Sequence, residues 1–133
     1  MNIKEKIEIR YTDKINSDIK DQIVKFLLIS KGFPNENIEK NFCYIIVALN
    51  HQEVIGYILL EKQVNDLCPN IQYIEVKKEY QRIGVGTKLM NEIINYAKKN
   101  CIDRITLFPL GNSDSFFKKF GFEKEGYLMQ LAL

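Results

Sequence analysis

The chain has 133 residues, of which 46% are hydrophobic and 27% are charged, and its formal net charge at pH 7 is +2. These values predict one soluble globular domain over residues 1–133. The net charge is too small to indicate nucleic-acid binding. No apolar run reaches the roughly 18 residues that a membrane span requires. Cys43, Cys68 and Cys101 form no C-x-x-C or Cys/His cluster, so we expect no metal site and a cytoplasmic protein.

The chain begins with a predicted strand and helix. Apolar and polar side chains alternate over residues 3–11, which is typical of a half-buried strand. Polar residues 16–18 can cap a helix that carries an apolar stripe and ends near Gly32 and Pro34. The pattern leaves residues 35–42 open as a short helix or a loop.

A β-hairpin follows in the prediction. Two β-rich runs, residues 43–49 and 54–61, are separated by a polar tetrad at 50–53. Residues 65–70 then read as a loop. This arrangement makes the first half of the sheet antiparallel.

The second half of the chain predicts a strand, a long helix and a returning strand. The strands cover residues 71–77 and 104–108, and the helix covers residues 84–99 with Asn100 as its C-cap. Five apolar residues recur at helical spacing and are expected in the core: Val85, Leu89, Ile93, Ile94 and Ala97. A strand that returns after one helix makes a parallel crossover.

The C-terminal part predicts a turn, a short helix and a strand region. The turn covers residues 109–113, the helix covers residues 115–120 and ends at Gly121, and residues 122–133 supply one or two strands around Gly126. The fold class is therefore α/β (α+β), with a mixed sheet.

The turn between the strand 71–77 and the long helix is the most informative segment. It reads Gln81-Arg82-Ile83-Gly84-Val85-Gly86, and no acidic residue lies between positions 80 and 91. A helix start has unpaired N–H groups and the positive end of the macrodipole, so this turn is suited to an anion such as a phosphate. The alternative is that Gly84 and Gly86 only allow a tight turn.

Two nucleotide-binding motifs are excluded by their details. The dinucleotide fingerprint requires a third glycine or alanine where Leu89 stands, and it requires an acid at the end of the next strand, where residues 106–108 have none. A Walker A loop requires an upstream glycine that Gly86-Thr87-Lys88 lacks.

The spacing Gln81-x-x-Gly84-x-Gly86 at the start of a long helix resembles the GNAT superfamily of acetyl-CoA-dependent N-acetyltransferases. A second block over residues 115–122, ending in Gly121-Phe122, resembles the closing segment of that family, and Gly56-Tyr57 also fits. The resemblance implies a mostly antiparallel central sheet with one parallel strand–helix–strand crossover and helices on both faces.

The resemblance also implies a site for acetyl-CoA as co-substrate, without a metal. Ile74, Glu75 and Val76 would line the pantetheine arm, and Asn112 is a further candidate contact. The residues around the pyrophosphate would be Gln81, Arg82, Ile83, Gly84, Val85, Gly86 and Thr87.

The residues that move protons in many members are missing. The backbone N–H of Val76 is the implied oxyanion donor, but the usual glutamate base is replaced by Gln72 and the usual tyrosine acid by Phe117, which would line the cofactor site. Glu75 is another candidate base, although strand alternation directs it away from the face of Ile74 and Val76 unless a bulge changes its direction.

The resemblance predicts an N-acetyltransferase that moves an acetyl group from acetyl-CoA to a primary amine of a small molecule or a protein, by direct attack in a ternary complex. The missing proton-transfer residues leave an alternative, a non-catalytic acyl-CoA-binding or regulatory module on the same fold. We expect no nucleic-acid or membrane partner, and a monomer or a homodimer. Residues 31–41 and 64–70 are the expected acceptor loops, and they carry no motif that names the acceptor.

Overall fold

The computed structural model describes residues 7–12, 17–31, 42–61, 70–109, 111 and 113–133. The strands are β1 (Ile7–Thr12), β2 (Phe42–Asn50), β3 (Glu53–Glu61), β4 (Asn70–Val76), β5 (Arg104–Leu107), β6 (Glu123–Glu125) and β7 (Leu128–Ala132). The helices among these residues are α1 (Ser17–Lys31), α2 (Val85–Lys99) and α3 (Asp114–Lys118), with a 3-10 turn at Lys78–Tyr80.

The strands form one mixed sheet in the order β1-β2-β3-β4-β5-β7-β6. Five of the six pairings in the described part of the chain are antiparallel, and β4 and β5 form the parallel pair. Helix α2 connects these two strands. The predicted mixed sheet with one parallel crossover is therefore confirmed.

Helices cover both faces of the sheet, as predicted. Ile19 and Ile23 of α1 pack against β2 and β3 on one face, and Tyr57 of β3 lies in that cluster. On the other face, α2 buries one stripe against the same strands, and Met90 is fully buried while Ile94, predicted to be buried, is only partly so. β3 is therefore buried on both faces, since seven consecutive residues of it are buried.

The start of β4 differs from the prediction. Asn70 was expected in a loop, but it is the first residue of the strand and its side chain is buried. Thr106 Oγ1 donates to Asn70 Oδ1 at 3.0 Å, and Asn70 Nδ2 donates to Glu61 Oε2 at 3.3 Å. These partners on neighbouring strands satisfy the amide, so a polar residue is tolerated where β4 meets β5.

Other differences concern element ends or residues that are not described. β5 ends at Leu107, one residue earlier than predicted, and α3 covers 114–118 instead of 115–120. The C-terminal region forms two strands around Gly126. Residues 35–41 and 65–69, predicted as a helix or loop and as a loop, lie outside the described residues.

None of the described helices combines the length and the apolar character that crossing a membrane requires.

Gly56 lies where β3, β4 and α2 pack closely, and this predicts a stability effect. A Cβ atom at this position would lie 3.0 Å from the Glu75 carbonyl oxygen and 3.3 Å from side-chain atoms of Leu89 and Val76. We expect Gly56→Ala to lower the free energy of unfolding by about 1–3 kcal/mol, measured by urea denaturation. Gly126→Ala is the control, since a Cβ atom there meets nothing within 4 Å and adds only the strain of a positive φ. A Gly56→Ala variant as stable as the parent would contradict the packing.

Candidate active site

The site lies where the two parallel strands separate. β4 and β5 pair only at Asn70 with Thr106 and at Ile71 with Leu107. In the pairing of β4 with β3, Ile71 and Tyr73 face consecutive residues of β3, so Gln72 is an extra, unpaired residue at a β-bulge. A bulge bends its strand and increases the twist, which turns β4 away from β5.

The resulting gap has a volume of about 220 Å³. Its walls come from β4, from the end of β5 with the residue after it, and from α3 with its N-cap: Ile71, Gln72, Tyr73, Ile74, Leu107, Phe108, Ser113 and Phe117.

The backbone of β4 past the bulge turns polar groups of Ile74 and Val76 away from β3. The Lys77 N–H donates to the Ile55 carbonyl at 2.8 Å, and Val76 lies opposite Gly56. Hydrogen-bonded and non-hydrogen-bonded pairs alternate along an antiparallel ladder, so Val76 and Ile74 occupy non-hydrogen-bonded positions relative to β3. Their N–H and C=O groups therefore point to the side of β5, whereas the backbone groups of Glu75 point to β3.

The turn after β4 is held by side-chain hydrogen bonds. Gln81 Nε2 donates to the Val76 carbonyl at 2.9 Å, and Asn50 Nδ2 donates to the Tyr80 hydroxyl at 2.9 Å. Arg82 has a φ of 65° and Gly84 a φ of 92°. Glycine adopts this conformation without cost, but an arginine in it is strained, and such strain is often found at functional turns.

The N-terminus of α2 is open to an anion. Gly84 is the N-cap and provides no side-chain hydrogen bond, and the first turn has no acidic residue. The Lys88 N–H is the donor to the Gly84 carbonyl, so the N–H groups of Val85, Gly86 and Thr87 precede the first helical bond. A Cβ atom on Gly84 would meet nothing within 4 Å. Space, donors and the positive end of the helix macrodipole coincide here, which is what a pyrophosphate requires.

We call the depression in front of this helix start the donor groove. Its volume is about 560 Å³, and it opens between β4, α2 and α3. Most of the residues predicted to bind the cofactor line it: Ile74, Glu75, Val76, Gln81, Arg82, Gly84, Gly86, Thr87 and Phe117.

Three residues predicted to bind the cofactor are absent from the wall of the donor groove. Val85 is buried in the core and Ile83 packs against the core, so these two can contribute only backbone groups. Asn112 lies outside the described residues. The sequence reasoning missed Ser113, Phe116 and Lys119 as wall residues. Ser113 lies three residues before Phe116 and four before Phe117. This helical spacing puts the three residues on one face and was the sequence signal that could have indicated Ser113 and Phe116.

A second depression lies on the α1 side of β4, and we call it the α1 groove. Its volume is about 830 Å³. Its walls carry both signs of charge: Lys25, Lys77 and Lys78 on one hand, and Glu53, Glu75 and Glu79 on the other. Lys77 Nζ lies 3.8 Å from Glu53 Oε1. Both grooves share Ile74, Glu75, Val76 and Gln81, so this part of β4 and its turn form the wall between them.

The candidate proton-transfer residues are placed as follows. Gln72 is exposed at the bulge and lines the gap. Glu75 pairs with Tyr57, whose side chain belongs to the α1 face, so the bulge three residues earlier does not direct Glu75 to the opposite face. Phe117 is 5% exposed and packs edge-on against Phe116 and Phe122, so it offers no proton.

Among the described residues, no three His, Cys, Asp or Glu side chains gather where they could hold a metal ion.

The fold is shared with solved acetyltransferases. Ard1 from Thermoplasma volcanium matches with a TM-score of 0.78 and 17% identity, covering 96% of this chain and 98% of that chain. A GNAT-family acetyltransferase from Staphylococcus aureus Mu50 matches with a TM-score of 0.75 and 22% identity over 95% and 99% of the two chains. Naa50 from Arabidopsis thaliana, in complex with the bisubstrate analogue CoA-Ac-MVNAL, matches with a TM-score of 0.75 and 18% identity over 96% and 99%.

Sequence comparison gives a family but no individual relative. No curated protein matches the chain. The model of the acetyltransferase (GNAT) family matches residues 13–122, a range that includes the strand splay, the open N-terminus of α2 and the Gly121-Phe122 block. The chain therefore belongs to the GNAT family of acetyltransferases.

Proposed function

We propose that this acetyltransferase moves the acetyl group of acetyl-CoA to a primary amine of a small molecule or a protein, by direct attack in a ternary complex. The observation that carries the proposal is the open N-terminus of α2 beside the splay of β4 and β5. These two features put an anion site and a row of backbone hydrogen-bonding groups along one groove.

The donor groove fits the parts of acetyl-CoA. The N–H groups at the start of α2 suit the pyrophosphate, and the side chains of Arg82 and Lys119 in the groove wall add positive charge. The N–H and C=O groups of Ile74 suit the amides of the pantetheine arm, whereas the Val76 carbonyl already accepts from Gln81. Acetyl-CoA supplies the thioester, whose carbonyl carbon accepts the amine. Naa50, which shares the fold, binds an analogue that joins CoA to a peptide.

The wall between the grooves is where the amine and the thioester would meet. The N–H of Val76, which faces the side of β5 and belongs to a residue of the donor groove wall, is the proposed donor to the oxygen that becomes negative during attack. A primary amine with a pKa near ~10 is mostly charged at neutral pH, so it must first lose a proton. Glu75 is the carboxylate of the described residues that lines both grooves, and we assign it as the base, acting through a water molecule.

The α1 groove is the proposed entrance for the acceptor. It lies on the opposite side of β4 from the donor groove and reaches the same three strand residues, Ile74 to Val76. Its mixed charge suits an amine carried on a polar molecule or a peptide. The cytoplasm is the compartment proposed from the cysteine pattern.

The test is binding followed by turnover. Calorimetry of the whole chain should show binding of acetyl-CoA and CoA, and ATP or NAD should bind more weakly. A panel of small amines and peptides should then give release of CoA, detected through its thiol. Absence of any acetyl-CoA binding would overturn the proposal, whereas binding without turnover on the whole panel would favour a non-catalytic acyl-CoA-binding module.

A further inference from the structure

Ser113 carries a buried hydroxyl that the fold itself does not use. Ser113 is the N-cap of α3, yet its side chain makes no capping hydrogen bond. Its Oγ is inaccessible to solvent and has no hydrogen-bond partner among the described residues. A serine at an N-cap normally bonds a backbone N–H of the first turn, and a buried hydroxyl without a partner costs about 1–3 kcal/mol.

The position of Ser113 connects it to the chemistry. Ser113 lines both the gap between β4 and β5 and the donor groove. Phe117 lines the same two depressions one helical turn later, since residues four apart share a helix face. Phe117 stands where the resemblance predicts a tyrosine that serves the leaving group. Ser113 and Phe117 therefore share one wall, and a rotation of Ser113 about χ1, between the staggered positions open to a serine, turns its buried hydroxyl toward the groove.

We propose that the Ser113 hydroxyl donates a hydrogen bond to the sulfur of the acyl donor and stabilises the leaving thiolate, a role that rests on the proposed function. In this step the amine nitrogen forms a bond to the acetyl carbon, and the C–S bond breaks. The electron pair of that bond stays on sulfur. The proton lost by the amine passes to Glu75 through water, and the thiolate is released or takes a proton from solvent. Ser113 keeps its own proton, because an alcohol is a far weaker acid than a thiol.

The titration of a thiol near Ser113 also depends on the other charged groups around this residue. Glu75, Arg82 and Lys119 are the charged residues in the described wall of the donor groove. Asp114 follows Ser113 but is bound to Lys124, with Nζ 2.7 Å from Oδ2, and the hydrogen bond from Lys124 lowers the pKa of Asp114. With its pKa lowered, Asp114 stays charged through the alkaline range in which a thiol with a pKa near ~8.5 titrates.

The direct test is the pKa of the thiol of bound CoA, followed by the ultraviolet absorbance of the thiolate. A donor to the thiolate lowers this pKa, so Ser113→Ala should raise it relative to the parent protein. Binding of desulfo-CoA, which lacks the sulfur, should be the same in both proteins. Ser115→Ala, an exposed change on the same helix, is the matched control and should alter neither value.

Turnover gives a second readout. We expect kcat of Ser113→Ala to fall roughly tenfold or more, as for a lost hydrogen bond to a charged group. Adding Phe117→Tyr to Ser113→Ala should restore part of the rate, because it puts a hydroxyl on the same wall.

An unchanged thiol pKa in Ser113→Ala, with CoA still bound, would overturn the role of Ser113 and leave the proposed function intact. An equal loss of affinity for CoA and desulfo-CoA would also overturn it, since the hydroxyl would then bind the pantetheine arm. Failure of the parent protein to bind CoA would remove both proposals.

Discussion

Gly84→Glu is expected to weaken acetyl-CoA binding by about 100-fold or more. Gly84 is the N-cap of α2, its φ is 92°, and a Cβ atom there would meet nothing within 4 Å, beside the N–H groups of the first helical turn. A glutamate side chain would occupy that space and bring a negative charge to the place proposed for the pyrophosphate. Like charges brought together at a binding site cost several kcal/mol, and each 1.4 kcal/mol is a factor of about ten in affinity.

The matched control is Gly84→Gln, which has the same shape and the same backbone strain but no charge. Both variants should lose about 1–2 kcal/mol of stability, because a side chain at positive φ is strained. The carboxylate should offset part of this loss, since an acid at a helix start interacts well with the macrodipole. Because the two variants differ only in charge, calorimetry should show that Gly84→Gln binds acetyl-CoA more tightly than Gly84→Glu does. Equal binding by the two variants would show that no phosphate lies near Gly84.

The donor side of the site could be predicted because its signals are local. The residues from Gln81 to Gly86 hold the spacing, the glycines and the absence of acids that favour an anion site, and these properties do not depend on contacts with distant parts of the chain. Gly84 at positive φ and the helix starting at Val85 confirm the predicted turn and helix start, and the anion site stays a prediction.

The start of β4, the position of its bulge and the unused hydroxyl of Ser113 depend on contacts between distant parts of the chain, which the sequence pattern does not show. Asn70 reads as a loop residue, and only its contacts with Glu61 and Thr106 explain why it is buried at the start of a strand. The position of the bulge at Gln72 is set by the register with β3, and this register decides which backbone groups face the gap. Helical spacing could have indicated Ser113 as a wall residue, but not that its hydroxyl lacks a partner among the described residues, because that is a property of the packed structure.

The most informative change on the catalytic side is Gln72→Glu, which we expect to raise kcat by about 100-fold. Gln72 is exposed, unpaired at the bulge and part of the wall of the gap, so a glutamate of nearly the same shape should fit without loss of stability. A carboxylate at this position can take the proton of the amine, and general base catalysis typically contributes 10²–10⁴-fold. The rate should fall as the pH drops through the pKa of the new carboxylate, since only its charged form accepts the proton. Gln72→Met is the control for shape and should not raise the rate.

The same substitution also tests Glu75. In the parent protein, Glu75→Gln should lower kcat by about 100-fold while calorimetry shows unchanged acetyl-CoA affinity. Glu79→Gln, a change in the α1 groove that does not touch the donor groove, should have little effect. In the Gln72→Glu background, Glu75→Gln should cost far less, because two bases that serve one proton are not additive. Additive losses would mean that Glu75 acts on something other than that proton. A Gln72→Glu protein that binds acetyl-CoA but is no faster than the parent would mean that the reacting amine does not come within reach of position 72.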